Sequence, residues 1–283
     1  MKIAVFSACR ELFDEGKAYQ DAVRCAEDYC GTLEQVRACG LDGIELATCD
    51  PRAFDTEIFE NALQTTGGQV SMFGNYYWCT KNDLSMLSPD DKKAELAVDL
   101  FKKMIRIGAA HGIPAGLGRL KGSAIPGKPV RYSLDRLTEI LKDVADYARR
   151  VNGFFCIEPQ NRFGMNLINS TDDGIQIIDR VGSDRFKLTM DLQHMYIEED
   201  VLEGLYKGRD YIYNLHLMEG YDDMEEQCAK IDFPKVMKVL SSTGFDGWIS
   251  FTLPRTASKD VAQLEHLKNC TKFVKQLLET YFF

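Results

Sequence analysis

The chain lacks any apolar stretch long enough to cross a membrane. A bilayer-spanning helix needs about 20 consecutive apolar residues, and no segment of the sequence approaches that length. The N-terminus is apolar only from Met1 to Phe6 and turns polar at Ser7, a pattern that indicates a first strand and not a secretory signal peptide. We therefore expect a cytoplasmic protein that does not bind membranes.

The sequence also lacks the cysteine spacings of disulfide-rich and zinc-finger domains. Its nine cysteines are an odd number and include no CxxC pair, so we expect reduced thiols in a reducing compartment. A basic surface is missing too, because the net charge is -9. Binding to a phosphate backbone requires basic side chains, so this charge argues against a nucleic-acid partner and favours a small-molecule substrate. Whether the chain forms a homo-oligomer stays open.

Eight strand-like segments alternate with helix-like segments along the whole chain. The strand candidates are residues 2–7, 41–46, 69–74, 113–118, 154–158, 187–191, 211–216 and 248–253. This alternation predicts an α/β fold, a (β/α)8 TIM barrel, and residues 1–283 are expected to form a single domain because no linker divides them. An open doubly wound sheet is the alternative, but no GxGxxG motif follows the first strand to support it.

Local signals predict two helix starts and one exposed aromatic segment. Ser88 precedes Pro89 and two acidic residues, which indicates that Ser88 caps a long helix. Ser133 is expected to cap the next long helix in the same way. The polar and aromatic segment 75–87 contains Trp78, whose ring we expect to be exposed and available for stacking on a ligand. Packing of the ring within the loop is an equally good alternative.

Three consecutive strand candidates end on a side chain of a type that binds metal ions. Glu158 closes the fifth strand, Asp191 the sixth and His216 the seventh. Because the carboxyl ends of barrel strands share one rim, these side chains are expected to converge. Two carboxylates and an imidazole suit Mn²⁺, Zn²⁺, Co²⁺ or Mg²⁺, with positions left for substrate or water. Each residue alone is more often a helix cap, an ion-pair partner or a core residue, but the adjacency of three favours a metal site.

Further segments surround these strand ends in a characteristic order. They are residues 157–163 (IEPQNRF), 169–173 (NSTDD), 190–194 (MDLQH), 216–217 (HL), 231–233 (IDF) and 244–250 (GFDGWIS). Together they resemble the xylose isomerase-like TIM barrels, a superfamily of sugar-phosphate isomerases, ketose epimerases, inosose dehydratases and AP endonucleases. The resemblance implies that Glu158, Asp191 and His216 hold a divalent metal ion. It also implies a site role for His194, which matches a substrate contact in epimerases and a ligand in the endonucleases.

The chain departs from the epimerase pattern in three places. The glutamate that closes the eighth strand in that branch, both a ligand and an acid/base group, is replaced by Thr252. A glutamate that often follows the Asn-Arg-Phe segment is replaced by Gly164, and segment 219–223 (EGYDD) replaces an arginine and a Pro-Gly-x-Gly turn. A neutral hydroxyl is a poor ligand and no base near pH 7. A divalent metal ion stays the expected cofactor, and weak binding or no binding stays open. Glu219 and His194 are the nearest substitutes for the missing group.

The function that these features favour is a divalent-metal-dependent isomerase or epimerase of a small sugar, sugar phosphate or polyol. Proton transfer would pass through an enediolate, with Glu158 removing the α-proton and His194 as a second catalytic group. The candidate substrate-binding residues are Arg119, Arg162, His194, Glu219, Arg255 and Trp78. For each arginine, solvation at the surface is the more common role.

Other functions stay open beside this one. Thr252 and Gly164 also fit a degenerate barrel that binds a sugar-like ligand without epimerase activity. Lyases and dehydratases occur in the same superfamily and are a further alternative. An AP endonuclease is disfavoured, because the chain has only four histidines and an acidic net charge.

Overall fold

Eight parallel strands pair in chain order and close into a barrel, since the last strand pairs with the first. The computed structural model describes residues 1–7, 29–46, 51–217, 230–252 and 261–282. The strands are β1 (Lys2–Ser7), β2 (Gly43–Leu46), β3 (Gln69–Phe73), β4 (Ala115–Gly116), β5 (Phe155–Ile157), β6 (Phe186–Asp191), β7 (Ile212–His216) and β8 (Trp248–Thr252). The closure confirms the predicted (β/α)8 TIM barrel and excludes the open sheet.

Helices connect the strands and cover the outside of the barrel. They are α1 (Tyr29–Ala38), α2 (Thr56–Thr66), α3 (Tyr76–Lys81), α4 (Asp91–Ala109), α5 (Val130–Arg150), α6 (Thr171–Val181), α7 (Leu192–Glu198), α8 (Val201–Gly208), α9 (Phe233–Ser242) and α10 (Val261–Phe282), with a short 3-10 helix at Gly118–Lys121. Within the described ranges, no helix is both long and apolar enough to cross a membrane.

The starts of the two longest central helices differ from the sequence prediction. Asp90, and not Ser88, caps α4, because its carboxylate accepts hydrogen bonds from two first-turn amides. Ser133 lies inside α5, which begins directly after Pro129. The buried hydroxyl of Ser133 instead accepts a hydrogen bond from the backbone amide of Ile125, 2.9 Å away. Asp90 thus takes the capping role expected of Ser88. Proline, whose backbone angle suits the start of a helix, stands where α5 begins.

The two faces of the sheet have different chemistry. On the outer face apolar side chains pack against the helices, as where the ring of Phe155 stacks on that of Phe186 with centroids 4.5 Å apart. On the inner face Glu45 of β2 and Asn214 of β7 are fully buried and joined by a 2.7 Å hydrogen bond. Because β2 and β7 are not neighbours in the sheet, this bond crosses the barrel interior.

Candidate metal centre at the carboxyl end of the barrel

Three potential metal ligands meet where β5, β6 and β7 end. Asp191 and His216 are the last residues of adjacent strands and pair in register, and Glu158 directly follows β5. Each of the three offers one ligand atom, and these atoms lie within 4.8 Å of one another. The structure therefore brings together the three residues that the sequence pointed to, while their role as ligands stays a prediction.

The distances within this cluster suit a single divalent ion. His216 Nδ1 lies 3.0 Å from Glu158 Oε1 and 3.8 Å from Asp191 Oδ2. Ligand atoms that are each about 2.1 Å from one ion lie about 3 to 3.5 Å apart, so a small rearrangement would place an ion among them. Two hard oxygen donors and one imidazole match the ligand preferences of Mn²⁺, Co²⁺ and Zn²⁺. The residues present thus fit the metal that the sequence pattern implies.

The electrostatics of the cluster depend on His216. Burial by itself would raise the pKa of Glu158, but the hydrogen bond and charge of His216 lower this pKa to about 2. Burial opposes the protonation of His216, yet the charges of Glu45 and Glu158 hold the pKa of the imidazole well above its usual range. The ring is therefore protonated on both nitrogens between two carboxylates in the absence of a metal ion.

Asp191 has two separate contacts at this rim. Its Oδ1 accepts a 2.8 Å hydrogen bond from the backbone amide of His194 and so caps α7, while its Oδ2 faces His216. His194 lies in the first turn of α7, which starts immediately after β6. The cap fixes His194 at the edge of the ligand cluster.

The orientation of the His194 ring is set by Asn161. Asn161 Oδ1 accepts the backbone amides of Phe163 and Gly164 at 3.1 and 3.2 Å, so its Nδ2 is the atom that faces His194 Nδ1, at 2.8 Å. An amide nitrogen can only donate, and His194 Nδ1 therefore accepts. The other ring nitrogen, Nε2, then carries a proton that can be donated to a ligand.

The ammonium group of Lys121 holds the end of β5 in place. This fully buried side chain donates hydrogen bonds to the carbonyl oxygens of Gly118 and Glu158, at 3.0 and 3.1 Å, and to Gln160 Oε1 at 2.9 Å. Burial lowers the pKa of Lys121 to about 8, although the charge of Glu158 opposes this shift. Three acceptors match the three N–H bonds of the ammonium, so Lys121 positions the backbone that carries Glu158.

The two described arginine candidates are in different situations. The guanidinium of Arg162 is bound in a bidentate manner by Glu198 of α7, with Nε and Nη2 donating at 2.9 and 2.6 Å. Arg119 is exposed on the 3-10 helix, and its Nη2 lies 3.5 Å from where a Cβ on Gly164 would be. Arg119 therefore lies beside Gly164, the position where the epimerase pattern has a glutamate. Arg162 is instead bound to Glu198.

One substrate-binding candidate is buried, and two lie outside the described residues. The expectation that Trp78 is exposed is wrong, because only 2% of it is accessible and its ring belongs to the hydrophobic core. A ring in that position has no face open to a sugar. Glu219 and Arg255 lie outside the described residues, so their roles stay predictions. Thr252 ends β8 and pairs in register with Phe6 of β1.

Sequence reasoning missed Glu45, whose carboxylate lies on the far side of His216. His216 Nε2 is 3.1 and 3.0 Å from the two oxygens of Glu45, and the Glu45 side chain is 1% exposed. An acidic residue between Ile44 and Leu46, in the middle of an apolar strand, was the signal available. A buried carboxylate needs a partner, but the identity of that partner depends on which strands face each other across the barrel.

Comparisons with known proteins agree with this geometry. The profile of the xylose isomerase-like TIM barrel family matches residues 33–270. The chain is 26% identical over 233 residues to the D-psicose 3-epimerase of Ruminiclostridium cellulolyticum, covering 78% of this chain and 76% of that protein. It is 27% identical over 223 residues to the L-ribulose 3-epimerase of Mesorhizobium japonicum, covering 78% and 73%. A solved structure of L-ribulose 3-epimerase superposes with a TM-score of 0.78 at 23% identity, covering 99% and 95% of the chains, which shows the shared fold.

Proposed function

Because the chain belongs to the xylose isomerase-like TIM barrel family, we propose that it is a divalent-metal-dependent isomerase or epimerase of a small sugar, sugar phosphate or polyol. The observation that carries this proposal is the convergence of Glu158, Asp191 and His216 within 4.8 Å at the carboxyl end of the barrel. The names of the curated relatives, ketose 3-epimerases, support the class of reaction. The substrate would then be a ketose or a closely related polyol.

In this proposal Glu158, Asp191 and His216 hold the metal ion, and Glu158 also takes the proton α to the substrate carbonyl. When bound, a divalent ion polarises the substrate oxygens and stabilises the negative charge of an enediolate. The pKa of about 2 keeps Glu158 ionised, as a ligand must be, but it also makes this carboxylate a weak base. The hydrogen bond from His216 Nδ1 is the largest contribution that lowers the pKa, and it is lost once Nδ1 serves as a ligand.

His194 and Arg119 are the residues that we assign to substrate binding. The His194 ring, oriented by the bond between Nδ1 and Asn161, is the imidazole at the rim that we assign to a substrate oxygen. Arg119 lies exposed next to Gly164, where a guanidinium would favour a phosphate or carboxylate on the substrate. Arg162 stays a candidate as well, although Glu198 binds its guanidinium.

A second candidate function is a barrel that binds a sugar-like ligand without turnover. Two sequence positions favour it, namely Thr252 at the end of β8 and Gly164 after the Asn-Arg-Phe segment. Proton transfer at two faces of a carbon requires two acid/base groups, and Thr252 removes one that the epimerase pattern supplies. His194 or Glu219 would have to take over that role in an active enzyme.

The experiment that separates these functions measures metal binding and proton exchange on the same protein. Protein stripped with EDTA is titrated with Mn²⁺, Co²⁺, Zn²⁺ and Mg²⁺ while the melting temperature is recorded, since a ligand that binds only the folded state raises it. Metal-loaded protein is then incubated in D₂O with D-fructose, D-psicose, D-tagatose and L-ribulose, and exchange of the α-proton is followed by NMR. The proposed enzyme binds a metal and exchanges that proton on at least one ketose.

Two variants make the result specific. Asp191→Asn is expected to lose metal binding while its side-chain oxygen still caps α7. Glu199→Gln is the matched control, because Glu199 is a carboxylate at the same rim that bonds to Thr171 and not to the ligand cluster. Metal binding without proton exchange would favour the binding barrel, and no change in melting temperature with any of the four ions would contradict the metal centre itself.

A further inference from the structure

Glu45 is a buried acid inside the barrel that the proposed chemistry does not use. We propose that Glu45 is a positioning residue, which holds a proton on Nε2 of His216 and so directs the lone pair of Nδ1 toward the metal ion. This inference rests on the proposed metal centre and extends it from the ligands to the group behind them. It concerns the metal affinity of the site and not a contact with substrate.

The two edges of the His216 ring have different neighbours. Nδ1 faces Glu158 and Asp191, at 3.0 and 3.8 Å. Nε2 faces both oxygens of Glu45 at 3.1 and 3.0 Å, and Asn214 Nδ2 lies farther away, at 3.3 Å. Since the two ring nitrogens point in divergent directions, Glu45 lies behind the imidazole and outside the ligand cluster. Carboxylates thus lie on both sides of the ring, but Glu158 and Asp191 would share a metal ion with Nδ1, whereas Glu45 has no place in that cluster and can only accept a hydrogen bond from Nε2.

The carboxylate of Glu45 is itself oriented by a chain of hydrogen bonds across the barrel. Ser250 Oγ lies 3.1 Å from Asn214 Oδ1, which makes the amide nitrogen of Asn214 the end that faces Glu45. That nitrogen donates to Glu45 Oε2 at 2.7 Å. All three side chains are fully buried, so β2, β7 and β8 together fix the acceptor behind His216.

A purely structural ion pair would be a simpler explanation of the same contacts. Such a pair is a poor source of stability, because the cost of burying two charges often exceeds their attraction. A metal-bound histidine, in contrast, commonly donates its second ring N–H to a carboxylate, which fixes the tautomer and raises the basicity of the ligand nitrogen. The two explanations differ in one measurable quantity, the affinity of the site for a metal ion.

The first test is the affinity of Glu45 variants for Mn²⁺, measured by isothermal titration calorimetry on the full chain. Glu45→Gln is expected to raise the Kd about 10- to 100-fold, the usual effect of removing a group that supports a ligand. Glu45→Asp keeps an acceptor and is expected to lie between this variant and the wild type. Tyr213→Phe is the matched control, since it removes another hydrogen bond of the barrel interior, from Tyr213 Oη to the carbonyl of Ser71, without touching His216.

The second test uses the unaltered protein, so it does not depend on whether a variant folds. Histidine-labelled protein is loaded with Zn²⁺, and the ring nitrogens of its four histidines are observed in ¹H–¹⁵N spectra. We expect His216 to bind Zn²⁺ through Nδ1 and to show a protected proton on Nε2. A Zn²⁺-bound His216 that carries its proton on Nδ1 overturns the inference.

The outcomes also separate this inference from the proposed function. If the wild type binds Mn²⁺ and Glu45→Gln binds it within about twofold of the wild type, Glu45 does not position His216 while the metal centre stands. If the wild type binds neither Mn²⁺ nor Zn²⁺, both proposals fail. A metal affinity that falls equally in Glu45→Gln and Tyr213→Phe would reveal a general effect of the barrel interior and would also count against a specific role for Glu45.

Discussion

Two groups of charged residues lie at the same end of the barrel, and they differ in their access to water. In one, His216 is held between Glu45 and Glu158 at 3.0 Å, and the His216 side chain is 9% exposed. In the other, Arg162 binds Glu198 at 2.6 Å; the arginine side chain is 63% exposed and the glutamate side chain 5%. The distances are similar, so the pairs differ in whether the cation is buried or open to water.

The comparison shows why the buried group indicates function more clearly than the exposed one. The guanidinium of Arg162 stays open to water, and water screens its attraction to Glu198. Burying three carboxylates around one imidazole is costly, and apolar residues of similar volume would often be at least as stable. Ionisable groups with strongly shifted pKa values in a cleft are typical of functional sites, and the cluster around His216 fits that description.

Removal of the imidazole should produce the largest effect. His216→Asn leaves Glu45, Glu158 and Asp191 buried without their cation, so we expect the free energy of unfolding of the metal-free protein to fall by about 3–5 kcal/mol. Urea denaturation in EDTA measures this change. Arg162→Gln serves as the control from the other pair and is expected to cost less, because the arginine side chain is open to water and the backbone amide of residue 162 still donates to Glu198. Equal losses in the two variants would remove the distinction between the buried and exposed groups.

Addition of a carboxylate to the buried group should have an intermediate effect. Thr252→Glu restores the acid that closes the eighth strand in the epimerase pattern, and we expect the Kd for Mn²⁺ to fall by roughly an order of magnitude, or about 1.4 kcal/mol. Calorimetric titration of the stripped protein measures it, with Thr252→Gln as the uncharged control. If Thr252→Glu binds no more tightly than Thr252→Gln, the end of β8 does not contribute to this site.

Acid titration of the exposed pair should show the smallest effect. Hydrogen bonds from Arg162 lower the pKa of Glu198, so its contribution to stability is present above the unfolded pKa of about 4.3 and is lost as the pH falls through the lowered folded value. The stability difference between wild type and Glu198→Gln should therefore be present at pH 7 and vanish in acid. Urea denaturation at several pH values checks this. In an Arg162→Gln background the difference should be smaller but not absent, because the backbone amide of residue 162 still donates to Glu198.

The barrel and its three ligand candidates could be predicted from the sequence because both depend on local sequence patterns. Three neighbouring strand candidates are short apolar runs that end on Glu158, Asp191 and His216, and barrel closure brings neighbouring strand ends together. The membership of the xylose isomerase-like family was recognisable for the same reason. Short segments around these strand ends carry the resemblance, and they survive where overall identity is low.

The features that the sequence did not predict depend on contacts between distant segments. Glu45 lies opposite His216 only because β2 and β7 face each other across the interior, which no local pattern encodes. Lys121 is in a polar loop typical of the surface, yet its ammonium is buried by the end of β5. Trp78 was expected to be exposed because of its polar neighbours, whereas α3 packs its ring into the core.

Asp191 illustrates how one side chain can be constrained by two independent demands. Its Oδ1 starts α7 by accepting the amide of His194, and its Oδ2 faces His216. Removal of an N-cap costs about 0.5–2 kcal/mol, so alanine at this position would shift a helix and remove a ligand in the same step. Few substitutions can satisfy both demands, because glutamate is too long to cap α7 from this position and asparagine lacks the charge. In a laboratory selection for altered metal preference, position 191 should therefore change last.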